Sequence, residues 1–292
     1  MLVEMAIGDA YGAGFEFLGS DFIARENDLS GYKRNPETGL GEGRYTDDTQ
    51  MAIAVAEHLL SGEPATAIIL AGRFVATFKR DERRGYSKRL FNTLQSASNG
   101  QDFLDAITPA STRSGAAMRV SPIGLLPDRK RVVELAQFQA SVTHDTPEGR
   151  MSASAVALMV HYLVHKMGPR HDLGRFLDSE VPGHRWSDPW TGRVDMAGLS
   201  CAHAAIGLVE RATTLSQLLR DAVALGGDTD TVAAMAMFSA SLCQDVSADL
   251  LQVLYDDLED GPYGLAFLRT LDQDLLKRLG TPISTRRNHA VP

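Results

Sequence analysis

The sequence predicts an all-α fold, and three observations carry that expectation. Apolar residues recur at helical spacing in segment after segment, no stretch alternates with the period of two that a half-buried strand requires, and no fixed-period repeat or low-complexity tract interrupts the pattern. The 292 residues are 44% hydrophobic and 23% charged, enough to bury a large core. No composition shift marks a boundary, so residues 1–280 are read as one domain and 281–292 as a fraying tail.

In chain order, residues 1–13 form a helix rich in small residues, and the run Gly8-Asp9-Ala10-Tyr11-Gly12-Ala13-Gly14 lets another backbone or a ligand come close. Glu16 follows, between Phe15 and Phe17. Residues 18–44 show no sustained period but contain Gly31, Pro36, Gly39, Gly41 and Gly43, the composition of a long loop of lid-like length. It feeds into Thr46-Asp47-Asp48-Thr49 at the start of a helix whose apolar face is Met51, Val55 and Leu59, widened by Ile53, Ala56 and Leu60 and ended by Ser61-Gly62. Pro64 suits the first turn of the next helix, which runs to residue 79.

A further helical piece spans 87–94, closed by Asn99-Gly100. The small residues of 111–119, Ser114, Gly115 and Ala116 among them, suit a phosphate, a ribose hydroxyl or close helix packing, and Pro122 stops that segment. Helices follow at 131–141 and 148–166. Between them lies His144, a ligand contact or a structural hydrogen-bonder. His161 and His165 have metal-like spacing without a third ligand nearby. Residues 168–192 are polar and irregular, with Trp186 and Trp190 either anchoring a loop or stacking on a flat ligand. Helices resume at 199–212 and 216–225, and the second delivers Gly226-Gly227-Asp228-Thr229-Asp230-Thr231 ahead of another apolar helix. Cys201 and His203, two apart on a helix, do not converge on one metal. Helices at 248–258 and 265–279 complete the chain.

One aspartate at a helix start is an ordinary cap, because its oxygen accepts a backbone N–H at the positive end of the dipole. Two acidic turns of the same design are different. If Asp47, Asp48, Asp228 and Asp230 meet, their repulsion must be offset, and a divalent cation does so; hard oxygen donors without His or Cys select Mg²⁺, Mn²⁺ or Ca²⁺ over Zn²⁺. The number of acids suffices for two ions, which together activate a water and clamp diol oxygens.

Charge narrows the class further. A formal net charge of −8 and a pI of about 5.5 argue against affinity for nucleic-acid phosphates or acidic membranes. No apolar run reaches membrane-spanning length and no basic, apolar leader opens the chain. Cys201 and Cys243 are far apart in helical segments, which fits a reducing cytoplasm rather than a disulfide framework.

Taken in order, Gly8 to Ala13, Glu16, Tyr45 to Met51 and Leu225 to Ala234 resemble the ADP-ribosylglycohydrolase family, that of the dinitrogenase reductase-activating glycohydrolase and the ADP-ribosylarginine hydrolases. The resemblance covers nearly all of the chain; single motifs are weak and the ordered set is specific. It implies a compact orthogonal bundle of a dozen or more helices around a cleft with two Mg²⁺ or Mn²⁺ ions. By position it implies Thr46, Asp47, Asp48, Asp228, Asp230 and Thr231 as metal ligands, and Glu16, Asp47, Asp48 and Asp230 as the carboxylates of catalysis. Ser114, Gly115, Ala116, Met118, Arg119 and His144 fall where the family has its substrate loops. The implied reaction is hydrolysis of the bond between the distal ribose of ADP-ribose and an acceptor, with arginine on a protein as the leading expectation. Free or O-linked ADP-ribosyl compounds are the enzymatic alternative, and a non-catalytic binding or structural protein on the same fold is the alternative of another class. The expected partner is an ADP-ribosylated protein or small compound, and the expected state a cytoplasmic monomer.

Overall fold

The computed structural model describes residues 1–279, so the tail expected at 281–292 lies outside the described residues. Among the described residues the chain runs through fifteen α-helices: α1 (Leu2–Ala13), α2 (Ser20–Glu26), α3 (Asp47–Ser61), α4 (Ala67–Arg80), α5 (Lys88–Ser96), α6 (Gly100–Ala106), α7 (Gly115–Met118), α8 (Arg129–Ser141), α9 (Pro147–Val164), α10 (Leu173–Glu180), α11 (Gly198–Arg211), α12 (Leu215–Ala224), α13 (Thr229–Ala240), α14 (Gln252–Asp256) and α15 (Leu265–Leu279). Two 3₁₀ turns, Ser121–Leu125 and Arg170–Asp172, join them, and β-structure among these residues is confined to isolated bridges.

The bundle is organised around α1 and α13, which lie against each other along their length. Every residue of α13 is buried, and so is α1 from Met5 to Ala13, because both are built of small and apolar side chains on all faces. Backbones touch where α1 has glycine. A Cβ at Gly8 would come within 2.7 Å of the Ala233 carbonyl oxygen, and one at Gly12 within 2.5 Å of the Asp230 Cα. This contact sets Asp9 of α1 beside the turn that opens α13. Around the pair, α3, α9, α11 and α12 each pack on α13, and the buried apolar side chains form one contiguous cluster.

Local chemistry explains the ends that matter. Thr46 caps α3, its hydroxyl accepting from the Asp48 N–H at 3.4 Å, and Gly62 ends the helix in the left-handed region at φ +70°. Gly227 has φ +88° and no room for a side chain, since a Cβ would sit 1.7 Å from the Val194 carbonyl oxygen. That oxygen accepts from the Asp228 N–H at 3.1 Å, so the second acidic turn is pinned from outside α13.

Several expected boundaries move. The stretch read as a loop at 18–44 carries α2, and its remainder is tied down: Asn35, fully buried, donates to the Ala13 and Glu16 carbonyls at 3.2 and 3.0 Å, and the Tyr32 hydroxyl donates to the Leu254 carbonyl at 2.6 Å. The helix expected from Pro64 starts only at Ala67, because Thr66 is the cap and accepts from the Ile69 N–H. Only Gln252–Asp256 is helical in the segment expected as a helix at 248–258, and the polar run 168–192 contains α10, whose apolar positions Leu173 and Leu177 are buried. Trp186 is fully buried with its Nε1 donating to the Val181 carbonyl at 3.0 Å, which makes it the loop's anchor. His161 and His165 share the Leu126 carbonyl, at 2.9 and 3.1 Å, and are structural.

Candidate active site

The two acidic turns meet. An oxygen from each of Asp9, Asp48 and Asp230 lies within 4.8 Å of the others, and so does one from each of Glu16, Asp228 and Asp230. Asp230 belongs to both triads and joins them into one cluster. Asp47 stands outside both triads but lines the same cavity.

The cluster is held by hydrogen bonds that leave oxygens over. Asp9 accepts from the Thr46 N–H at 3.0 Å and the Thr46 hydroxyl at 2.8 Å, and from the Thr49 N–H at 3.0 Å and the Thr49 hydroxyl at 2.7 Å. These bonds fasten α1 to the start of α3. Asp228 receives the Ser114 hydroxyl and the Cys201 thiol, both at 3.4 Å, and Asp230 accepts from the Thr231 N–H at 3.0 Å. The Oδ1 of Asp48 is buried with no hydrogen-bond partner. A buried carboxylate oxygen without a donor is expensive, which marks a position made for something not in the chain itself.

Electrostatics point the same way. Burial, then the charges of Asp228 and Asp9, push the Glu16 carboxyl up to about 7. Asp47, Asp48 and Asp230 are held well above the usual carboxylate range, first by burial and then by their acidic neighbours. Asp9 is raised by burial, against the pull of its four hydrogen bonds. No basic side chain is among the causes acting on these five groups. An all-oxygen cluster of this charge fits hard divalent cations, with Asp9, Asp48, Asp228, Asp230 and Glu16 as the residues able to hold them.

Above the cluster opens a cavity of about 570 Å³, a size usual for small-molecule sites. Its floor is Glu16, Asp47, Asp48, Asp228, Asp230 and Thr231, one wall is Ser114, Gly115, Met118 and His144, and the mouth carries Lys88, Arg89 and Arg113. The wall is assembled from distant segments: the Asp145 N–H donates to the Pro109 carbonyl at 2.6 Å, the Thr146 hydroxyl to the Ser111 carbonyl at 3.1 Å, and the Ser114 N–H to the Met196 carbonyl at 3.0 Å.

Two residues expected among the substrate contacts are placed elsewhere. Ala116 and Arg119 are fully buried and absent from the cavity lining, because α7 turns them toward α8 and α9 while Gly115 and Met118 face the cavity. Thr46 is buried too, its hydroxyl engaged by Asp9. Sequence reasoning missed Asp9 as a member of the cluster, although the acid sits between Gly8 and Gly12 in the stretch singled out for close approach. It also set aside Cys201, whose thiol reaches Asp228.

An all-helical bundle whose buried carboxylates line the floor of a ligand-sized cavity is the class of protein these features define. A family model described as ADP-ribosylglycohydrolase matches residues 1–237, and the chain belongs to that family. Among its relatives is ADP-ribosylhydrolase ARH3 of Xenopus tropicalis, 31% identical over 193 residues, which cover 61% of this chain and 53% of that protein. Another is the ADP-ribosylarginine hydrolase Tri1 of Serratia proteamaculans, 27% identical over 173 residues, covering 56% of this chain and 46% of that one. The chain thus spans about half the length of these two relatives. Among solved structures, one from an ADP-ribosylglycohydrolase-related protein complex superposes with a TM-score of 0.74 at 20% identity, covering 96% of this chain and 95% of its own, which is a likeness of fold.

Proposed function

We propose that this protein is a metal-dependent hydrolase that cleaves the glycosidic bond between ADP-ribose and a modified acceptor, and that the acceptor is arginine on a protein. The observation that carries the proposal is the convergence of Asp48, Asp228 and Asp230 with Asp9 and Glu16 under one cavity. Two Mg²⁺ or Mn²⁺ ions held by these carboxylates, with Thr46 and Thr231 beside them, would supply a polarised water and anchor ribose hydroxyls.

The chain's own groups do the rest. Glu16 is the half-buried carboxylate of the cluster and lines the cavity, which supports a role for it in taking or giving the proton at the scissile bond. Asp47 lines the cavity outside both triads, leaving a carboxylate to receive the acceptor's guanidinium. The cationic mouth of Lys88, Arg89 and Arg113 suits the diphosphate, and the Ser114-Gly115 turn lets the ligand approach the backbone. The name of the Serratia relative, an arginine hydrolase, supports the arginine acceptor. No described helix is long and apolar enough to cross a membrane, and we propose a cytoplasmic monomer with no nucleic-acid partner.

The test incubates the full chain and Mg²⁺ with three substrates: an arginine-ADP-ribosylated protein, a serine-ADP-ribosylated protein and O-acetyl-ADP-ribose. Release of ADP-ribose is expected fastest from the arginine conjugate. Release from the serine or O-acetyl substrate alone would move the acceptor, and release from none of them would sink the enzymatic reading.

A further inference from the structure

We infer that Arg119 is a positioning residue: through Thr143 it fixes the tautomer of His144, so that the ring offers an Nε2–H donor to an acceptor atom of the bound ADP-ribosyl group. The ligand half of this inference rests on the proposed function; the tautomer does not.

The direction of the chain of bonds follows from what each group is able to do. A guanidinium has donors only, so the 2.7 Å contact from Arg119 Nη2 makes the Thr143 hydroxyl an acceptor. That hydroxyl's own hydrogen needs a partner, because Thr143, although it borders the cavity, is 3% exposed, and Oγ1 has one other hydrogen-bond partner among the described residues, His144 Nδ1 at 2.7 Å. Were Nδ1 to carry the proton, Oγ1 would accept twice and its hydrogen would be buried without an acceptor. The satisfied arrangement has the hydroxyl donating to Nδ1. The proton of the neutral ring then sits on Nε2.

Nε2 faces the substrate wall. His144 lines the cavity, and a Cβ at Gly115 would come within 3.0 Å of Nε2 and 2.8 Å of Cε1, so that ring edge lies against the turn expected to meet the ligand. Neutrality is supported by burial and the nearby Arg119 charge, which together lower the His144 imidazole to about 3.

The same guanidinium braces the turn from its far side. Arg119 Nε donates to Gln139 Oε1 at 2.7 Å, which orients the amide so that Gln139 Nε2 donates to the Ala116 carbonyl at 2.8 Å. Arg119 has no carboxylate partner among the described residues, lies 4.5 Å over the Phe74 ring and leaves Nη1 without a hydrogen bond. A group so costly to bury is explained by what it enforces: it is unable to accept, so the polarity of both arms is set.

The experiment is ¹⁵N imidazole NMR on the full chain at neutral pH, with the His144 signals assigned by their loss in His144→Gln, alongside calorimetric titration with ADP-ribose. The wild type is expected to show unprotonated Nδ1 and protonated Nε2. Thr143→Val, which removes the donor, is expected to give mixed tautomers and weaken ADP-ribose binding by about tenfold, while Thr143→Ser keeps both. Protonated Nδ1 or an even mixture in the wild type would overturn the inference, as would unchanged tautomer and affinity in Thr143→Val; altered tautomers at unchanged affinity would overturn its ligand half. The expected tautomer and affinity loss, in a chain that releases ADP-ribose from no conjugate, would sustain the inference while the hydrolase reading fell.

Discussion

Asp230→Asn is expected to cut kcat/KM roughly a thousandfold while making the metal-free protein more stable. Asp230 supplies an oxygen to both triads, so its loss weakens the whole cluster rather than one corner. If the cations contribute about 4 kcal/mol to the transition state, kcat/KM falls roughly a thousandfold. In chelator the sign for stability reverses, because the substitution removes one of several like charges buried together. A pH series separates this from general loosening. The Glu16 carboxyl rises from 4.5 to about 7 in the fold, so its protonation favours the native state fully below 4.5 and that contribution is lost as pH rises through about 7. Metal-free wild type should therefore melt at lower temperature as pH climbs through that window. Asp230 is itself held well above the usual carboxylate range by burial and then by Glu16 and Asp228, so Asp230→Asn removes its share of the same titration and should flatten the decline, and Mg²⁺ should reverse it in the wild type alone. Equal pH profiles in chelator would contradict the account.

Gly12→Ala is expected to destabilise the fold more than any other single methyl addition along α1. Its Cβ would meet the Asp230 Cα at 2.5 Å and the Asp230 N and Thr229 carbonyl oxygen at 2.7 Å, all backbone and unable to swing aside. The helix pair has to separate, and α1 carries Asp9 with it. The cost is about 3 kcal/mol, a large share of the roughly 5–15 kcal/mol that holds a domain together. Gly207→Ala is the control. Its new Cβ would meet only the flexible tip of Arg211 at 3.7 Å, and in the middle of α11 it should stabilise by about 0.5–1 kcal/mol. Thermal unfolding of the two variants checks both signs. Equal effects would mean that α1 and α13 are not in backbone contact.

The parts of the fold that were legible are those with repeated patterns. The helix at Asp47–Ser61 is bounded by Thr46 and Gly62 and striped with Met51 and Val55, and both acidic turns announce themselves by composition. Ala67 as a helix start was not legible, because Pro64 is the stronger local signal and only the Thr66 bond to Ile69 decides it. Asp9 was hidden for a related reason. Its role comes from four hydrogen bonds to Thr46 and Thr49, residues 37 and 40 positions away, and nothing in its own neighbourhood records them. Arg119 shows the limit of motif position: at the end of α7 a cavity residue, Met118, is followed directly by a buried brace. Side-chain direction at the end of a four-residue helix is set by what packs behind it.

In the proposed function, acidic turns from distant parts of the chain share bound cations. Anomalous diffraction from crystals soaked in Mn²⁺ reads this directly. Two peaks are expected, one among Asp9, Asp48 and Asp230 and one among Glu16, Asp228 and Asp230. Full Mn²⁺ occupancy elsewhere on the protein, with neither position filled, would contradict it.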